Sequence, residues 1–495
     1  MFDSSQRRFA KTVSAIIECN PFLPERINLE KKALGDAFES TNANWNLHPS
    51  EQQLTENITL INKRAEAILN ALSQKSFESA APADVQLAVD LTSLVLFNRF
   101  REQFEKLNAQ HGKSASAVFQ KFQKEWNRFL PPGVVPAEIT AQAPQMFAML
   151  FQIRRAFDNI FRNLIGSSPA IIELRANVWR SIFTHDVRRY VATMFRAMAD
   201  FPTLITGPTG SGKELVARAI GLSSYVPYDT ETGKFVSPLD HLFVSLNLSA
   251  VSPQLIESEL FGHAKGSFTG ATDDHIGWLE ACPAVGVVFL DEIGELDHDI
   301  QVKLLRVVQD RIFQRIGDRQ PRRFQGRIIS ATNRNLDEEM VAGRFRTDFY
   351  YRLCADRITT PSLAERTNED PAELAHLVQH LSSRITAQED ASDIAAEVLE
   401  WIQATLGNDY PWPGNVRELD QCIRSWLIRR SYDPCNASVA IQGRSLECAM
   451  AESQLTADEL LSLYCRVKYE QNGSYLKTAQ QLGIDRRTVK SRVDG

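Results

Sequence analysis

Two stretches of this sequence carry side chains able to handle a phosphorylated ligand. Residues 204–214 read LITGPTGSGKE. The apolar pair Leu204 and Ile205 leads into a loop of Gly207, Pro208, Thr209, Gly210, Ser211, Gly212 and Lys213. A helix-type sequence with Leu215, Val216, Ala219 and Ile220 follows. Strand, glycine loop and helix form the context of a phosphate-binding loop. Glycines let backbone N–H groups close around phosphate oxygens, and the following helix points its positive end at the anion. Lys213 adds a full charge within reach of β- and γ-phosphates. Glu214 stands where a Ser or Thr hydroxyl would hold Mg²⁺, so the metal must rest on another carboxylate. Residues 285–292, VGVVFLDE, supply one. The continuous apolar run predicts a strand buried on both faces, as in a parallel sheet. At its end, Asp291 is placed to hold Mg²⁺ or its waters, and Glu292 to polarise an attacking water.

These residues need a scaffold, and 495 residues are enough for about three domains. Hydrophobic residues make up 43% and charged residues 23%, which is the balance of a globular protein. The net charge of −6 excludes polyanion binding by bulk charge, so any nucleic-acid contact must be local. No apolar run approaches the ~18 residues needed to span a bilayer. The first twenty residues lack the sustained apolar core of a secretory signal. The seven cysteines are scattered, without a CxxC or a Cys/His cluster. That speaks against zinc and for reduced thiols, so the expected location is cytoplasmic, with no membrane partner.

The chain reads as multidomain. Residues 1–165 predict a mainly helical N-terminal domain, with apolar residues at three- and four-residue spacing over 86–107 and 146–164. Its phenylalanines, Phe97, Phe100, Phe104, Phe119, Phe122, Phe129, Phe147 and Phe151, are expected to form the core. Nothing in it shows the strand-end aspartates and downstream lysine of a phosphoacceptor receiver. A small-residue break at 166–170 precedes an α/β region, 168–361, with strands expected at 203–206, 242–246, 285–290 and 327–331. The turn-rich stretch 225–239 predicts a surface excursion. Residues 362–432 turn helical, and 433–455 read as a linker. In 456–495, a helix, a turn at Gly483 and a second helix predict a helix-turn-helix, with Asp485 as cap. Arg486, Arg487, Thr488, Lys490 and Arg492 would reach bases and phosphates.

Between the two phosphate-handling stretches, residues 257–263 read ESELFGH and 266–271 read GSFTGA. This pairing resembles the signature of the bacterial sigma-54-dependent transcriptional activators, AAA+ ATPases that carry a terminal helix-turn-helix of the Fis type. The resemblance covers about residues 168–430. It implies an α/β AAA+ core with a helical lid, acting on ATP with Mg²⁺. Gly266, Ser267, Phe268, Thr269, Gly270 and Ala271 resemble the loop that contacts sigma-54, with Phe268 and Thr269 as the contact pair and Ser267 in place of the usual Ala. Asn247, in SLNLSA, matches the asparagine that restrains the hydrolytic Glu292. Thr332 and Asn333, in SATNRN, match the γ-phosphate sensor. Glu214 is the family's usual residue after the lysine. Arg346 and Arg352, in FRTDFYYRL, match arginines that enter the neighbouring subunit's site, a contribution of about 10³–10⁵ in rate. Arg417, in YPWPGNVREL, matches the lid's sensor arginine.

The resemblance therefore implies an ATPase that binds upstream promoter DNA and remodels the sigma-54 RNA polymerase closed complex. It would work as a homo-oligomer, a hexameric ring or an inactive dimer, under an N-terminal domain whose signal the sequence does not name. The alternative is a DNA-binding repressor that acts by occupancy without sigma-54. An altered contact loop or a lost acid would favour it, and neither is seen. A general AAA+ remodeller would need neither the terminal helices nor the GSFTGA loop.

Overall fold

The structure, a computed structural model, describes residues 1–39, 56–72, 80–386, 390–434, 461–462, 464–465, 468–469 and 474–494. It forms two compact units, Met1–Arg424 and Ser425–Gly495.

The first unit is built on a five-stranded parallel sheet. The described residues hold nine strands: β1 (Thr203–Thr206), β2 (Tyr228–Asp229), β3 (Lys234–Phe235), β4 (Phe243–Asn247), β5 (Val287–Asp291), β6 (Ile312–Phe313), β7 (Arg322–Arg323), β8 (Arg327–Thr332) and β9 (Asp356–Thr359). The main sheet runs β4-β5-β8-β1-β9, and β2-β3 and β6-β7 are small antiparallel pairs. Successive residues of each main strand point to opposite faces, and both faces are covered. Ile205, Phe289 and Ile329 pack with helices Ala143–Asn163, Pro169–Phe183 and Lys213–Gly221. Leu204, Val288, Leu290 and Ile328 pack with helices Pro253–Phe261, His298–Asp310 and Thr347–Leu353. Burial on both sides is why these strands read as unbroken apolar runs. Register aligns Thr206 with Thr332 and Asn247 with Asp291, so the four strand ends arrive at one edge.

The strand expected at 285–290 starts two residues later, because Val285 and Gly286 form the turn that enters it. The strand expected at 242–246 is shifted by one residue. β9 was not expected. It is only four residues long, and two of them, Asp356 and Arg357, are charged.

Among the described residues of 1–163 every named element is a helix, and Phe100, Phe104, Phe119, Phe122, Phe129, Phe147 and Phe151 are all buried in one cluster. The helix expected over 86–107 is two helices, Pro82–Arg99 and Arg101–Ala109. Phe100, at φ −93° and ψ 9°, turns the chain between them. The stretch 225–239 corrects an expectation. It is a hairpin whose Tyr228 lies against Phe119 and Phe147, and whose Phe235 stacks on Phe147 and Phe151. The turn residues are real, with Gly233 at φ +67°, but the two aromatic residues beside them are drawn into the helical core.

In the second unit, helix Tyr475–Leu482 ends at Gly483 in the left-handed conformation, and helix Arg486–Asp494 follows. Ala479 and Val489 are buried between them, and Asp485 Oδ1 accepts from Arg487 N at 2.7 Å. The expected linker 433–455 lies almost wholly outside the described residues. Among the described residues no helix is long and apolar enough to cross a membrane.

Candidate nucleotide site

β1 hands the chain to the glycine loop, whose shape is set by what it touches. A Cβ on Gly207 would run into Thr360 Oγ1 and stand 2.7 Å from the Thr360 carbonyl oxygen. A Cβ on Gly210 would collide with the Gly414 carbonyl oxygen, so only glycine lets the lid segment lie on the loop. Ser211 Oγ donates to the Pro208 carbonyl at 2.7 Å and lies 2.6 Å from Thr360 Oγ1. Helix Lys213–Gly221 starts at Gly212 without a side-chain cap, so its first N–H groups have no intrahelical partner and face the loop. Lys213 Nζ donates to the carbonyls of Gly207 and Pro208 at 3.0 and 3.2 Å. Burial lowers its pKa, while Glu292 and Asp291 hold it up.

The acids arrive from β5. Asp291 Oδ1 accepts from Glu292 N at 3.1 Å. Glu292 sits at φ 57° and ψ 50°, a left-handed conformation uncommon for a residue with a side chain and typical of sites held in place by their surroundings. Its Oε2 accepts from Asn333 N at 3.3 Å. Asn333 Nδ2 in turn donates to Thr209 Oγ1 at 2.8 Å, which ties β8 to the phosphate loop. Thr332 is buried and accepts from Arg334 N at 3.1 Å. Asn247 lines the same cleft as Glu292 but bonds its own turn, accepting from Ser249 N and Ser249 Oγ at 3.0 and 2.7 Å. Burial, then Glu292, pushes the Asp291 carboxyl above its ordinary range, a strain that a divalent cation would relieve. Paired carboxylate oxygens beside unpaired helix N–H groups fit a magnesium triphosphate.

The cleft is about 640 Å³, within the usual range for small-molecule sites. One wall is charged: Lys213, Glu214, Asp291, Glu292 and Arg417. Elsewhere the lining includes an apolar set, Ile165, Ile171, Leu174, Leu377 and Leu381, with Arg162, His380 and Arg384 beside it. Phosphates suit the first and a flat base suits the second. Arg417 is exposed and reaches the cleft from helix Asn415–Arg429.

Three sets of residues escaped the sequence reading. Asn415, buried at φ 54°, donates to the Thr209 carbonyl at 2.9 Å and accepts from Leu363 N at 2.7 Å, stapling the lid to the loop. Its Pro-Gly-Asn context was the available signal, since Asn tolerates left-handed backbone. At the far end of helix Lys213–Gly221, Gln152 Nε2 donates to the Ser223 carbonyl at 2.9 Å and Asn159 Nδ2 to Ser223 Oγ at 3.2 Å. Arg155 donates to the Leu222 and Ser224 carbonyls beside them. Lastly, Ser167 N and Ser168 N donate to Glu373 Oε2 at 2.6 and 3.0 Å, and Glu373 is ion-paired with Arg366 in the lid.

The remaining expected residues lie elsewhere. Arg346 pairs with Asp348 at 2.7 Å, Arg352 is exposed, and neither lines the cleft of its own chain. In the loop 266–271, Gly266 N donates to the Ala271 carbonyl at 2.8 Å and Ala271 N to the Phe268 carbonyl at 3.0 Å. Phe268 is 41% exposed, its ring edge-on to His263. Thr269 and Gly270 are also exposed. The Ser267 hydroxyl is buried without a hydrogen-bond partner, against Gly317. In the second unit Arg486, Arg487, Thr488 and Lys490 are exposed, whereas Arg492 turns inward and donates to Ser462 Oγ at 3.1 Å.

Residues 182–359 match the model of the Sigma-54 interaction domain. The chain is 34% identical over 340 residues to the transcriptional regulatory protein ZraR of Escherichia coli (strain K12), covering 67% of this chain and 68% of that protein. It is 39% identical over 298 residues to the Nif-specific regulatory protein of Klebsiella pneumoniae, covering 59% of this chain and 49% of the relative. The corresponding protein of Azospirillum lipoferum is 35% identical over 321 residues, with 62% and 46% covered. The match thus spans about half the length of the Nif-specific relatives.

Proposed function

We propose that this chain, which belongs to the sigma-54-dependent transcriptional activators, is an ATPase that drives sigma-54 RNA polymerase from closed to open promoter complex. The observation that supports it best is the joint arrangement of Lys213, Asp291, Glu292 and Arg417 around one cleft, with Asn333 hydrogen-bonded to Glu292 and Thr209 of its lining and a half-exposed phenylalanine loop on the same domain. In this reading the base of ATP lies on Ile165, Ile171 and Leu377. The phosphates lie on the loop N–H groups and Lys213. Mg²⁺, held by Asp291, would neutralise charge on the β- and γ-phosphates. Glu292 orients the attacking water and accepts its proton. Asn333 reads the γ-phosphate and shares its backbone N–H with Glu292.

Arg346 and Arg352 complete the site of the adjacent subunit, which makes a ring, a hexamer by family resemblance, the active form. Asn247 takes hold of Glu292 in the restrained state by giving up Ser249. Hydrolysis lifts the Phe268–Thr269 loop against sigma-54. The exposed Arg486, Arg487, Thr488 and Lys490, with Arg492 as a backbone contact, hold upstream DNA. The helical region 1–165 receives the signal. The region 168–361 with the lid 362–432 works as the motor, and 456–495 as the DNA-binding domain.

ATP hydrolysis measured against protein concentration tests this reading. The rate per subunit should rise with concentration, and Glu292→Gln should bind ATP while hydrolysing it about 10²–10⁴-fold more slowly. A rate per subunit that stays flat would remove the shared site.

A further inference from the structure

A second cavity, of about 320 Å³, lies between the N-terminal helices and helix Val187–Ala192 and shares no lining residue with the nucleotide cleft. Its volume falls within the range of small-molecule sites. Met146, Met149, Leu150 and Ile153 form an apolar floor. Flexible thioethers adapt such a floor to ligands of varied shape. The opposite wall is a ring of polar groups from three helices. Ser14 Oγ donates to Asp90 Oδ2 at 2.6 Å, and Gln86 Nε2 to Asp90 Oδ1 at 2.9 Å. Arg188, 48% exposed at its side chain, reaches Ser14, Asp90 and Glu18 with one amino group, at 2.7, 3.0 and 2.5 Å.

The chemistry of this wall is lopsided. Gln145 Nε2 is committed to the Val191 carbonyl at 2.7 Å, and Ser93 Oγ to the Val89 carbonyl at 2.8 Å. Glu18 Oε2, Gln86 Oε1 and Gln145 Oε1 have no protein hydrogen-bond partner among the described residues. Two carboxylates, on Glu18 and Asp90, face one guanidinium. Burial, together with Asp90 and Asp186, holds the Glu18 carboxyl above its ordinary range despite Arg188. Acceptors in excess, a negative balance and an apolar floor define the ligand that fits.

We propose that this cavity binds a small organic cation, its ammonium or amidinium against Glu18 and Asp90 and its apolar body on Met146, Met149 and Ile153. The site joins the helical region to the short helix Val187–Ala192 of the α/β region, so occupancy competes with Arg188 for the acids that tie the two together. Its role as an input to the ATPase rests on the function proposed above, whereas its role as a binding site does not.

Isothermal titration calorimetry of the full chain with 2-phenylethylamine, 2-phenylethanol and 3-phenylpropanoate tests the site. The amine should bind about tenfold or more tightly than the alcohol or the acid. Glu18→Gln, at the rim, and Ile17→Trp, which fills the cavity, should each weaken it about tenfold. Circular dichroism checks that both variants fold, and the rim position of Glu18 keeps that arm informative. No preference for the amine, or binding indifferent to both substitutions, would overturn the site. In parallel, the amine should change wild-type ATP hydrolysis but not that of Glu18→Gln. Intact binding with unchanged hydrolysis would overturn the input role. A chain that hydrolyses no ATP under any condition would overturn the earlier reading and leave the calorimetric result standing.

Discussion

Asn415 spends both ends of its amide on contacts that decide where the lid rests, one on the phosphate loop at Thr209 and one on Leu363. Replacing it with Ala leaves the buried Leu363 N–H without its partner, frees the Thr209 carbonyl, and forces a left-handed turn on a residue that resists it. Asn415→Ala should therefore raise the KM for ATP about tenfold and change kcat far less, which steady-state kinetics will show. Burial also governs the thiols: it pushes Cys282 and Cys422 up to about 12. A raised pKa keeps the reactive thiolate scarce below it, so both residues should resist iodoacetamide at pH 8 in the native chain and react once it is unfolded, as peptide mass spectrometry will report. At this scale the sequence was most readable where chemistry depends on neighbours in the chain. The loop around Lys213 and the pair Asp291–Glu292 are local patterns. Asn415 was not legible, because its importance comes from the approach of Gly414 to Gly210, about two hundred residues away.

Helix Lys213–Gly221 is held at both ends. Its positive end faces the cleft, and the carbonyls of Leu222 and Ser224, just past its C-terminal end, receive Arg155 from helix Ala143–Asn163. Among the described residues Arg155 has no carboxylate partner, and burial pushes its guanidinium down to about 10. A cation at the negative end of a helix is favourable, by up to about 2 kcal/mol when partly buried. Arg155→Met removes it and leaves carbonyls unpaired, so thermal unfolding should shift down by about 1–3 kcal/mol of stability and ATP binding should weaken. Arg155→Lys should recover part of both. The strands β1, β5 and β8 were legible as apolar runs, since burial on both faces erases alternation. β9 was not, because Asp356 and Arg357 disguise it. The break at Phe100 carries neither Pro nor Gly, so the helical period runs through it unmarked.

Across the whole molecule, a single buried cluster takes Phe119, Phe147 and Phe151 from the N-terminal helices and Val226, Tyr228 and Leu242 from the α/β region. Sequence alone divided these at 165, because composition and period change there. The packing that joins them needs the folded chain to be seen. A helical region so seated can bear on the phosphate-loop helix through Arg155, and the break that follows it contacts the lid through Ser167 and Ser168. In the function proposed above, the motor it governs would deliver its work at Phe268, which is half-exposed and outside the cleft. The most direct test is open-complex formation by sigma-54 RNA polymerase on a supercoiled promoter, with ATP, comparing the wild-type chain with Phe268→Ala. Wild type should open the promoter only when ATP is hydrolysed, while Phe268→Ala should keep its ATP hydrolysis and lose promoter opening by about tenfold or more, as expected of a central aromatic anchor. Opening that proceeds equally well without Phe268, or without hydrolysis, would contradict the account.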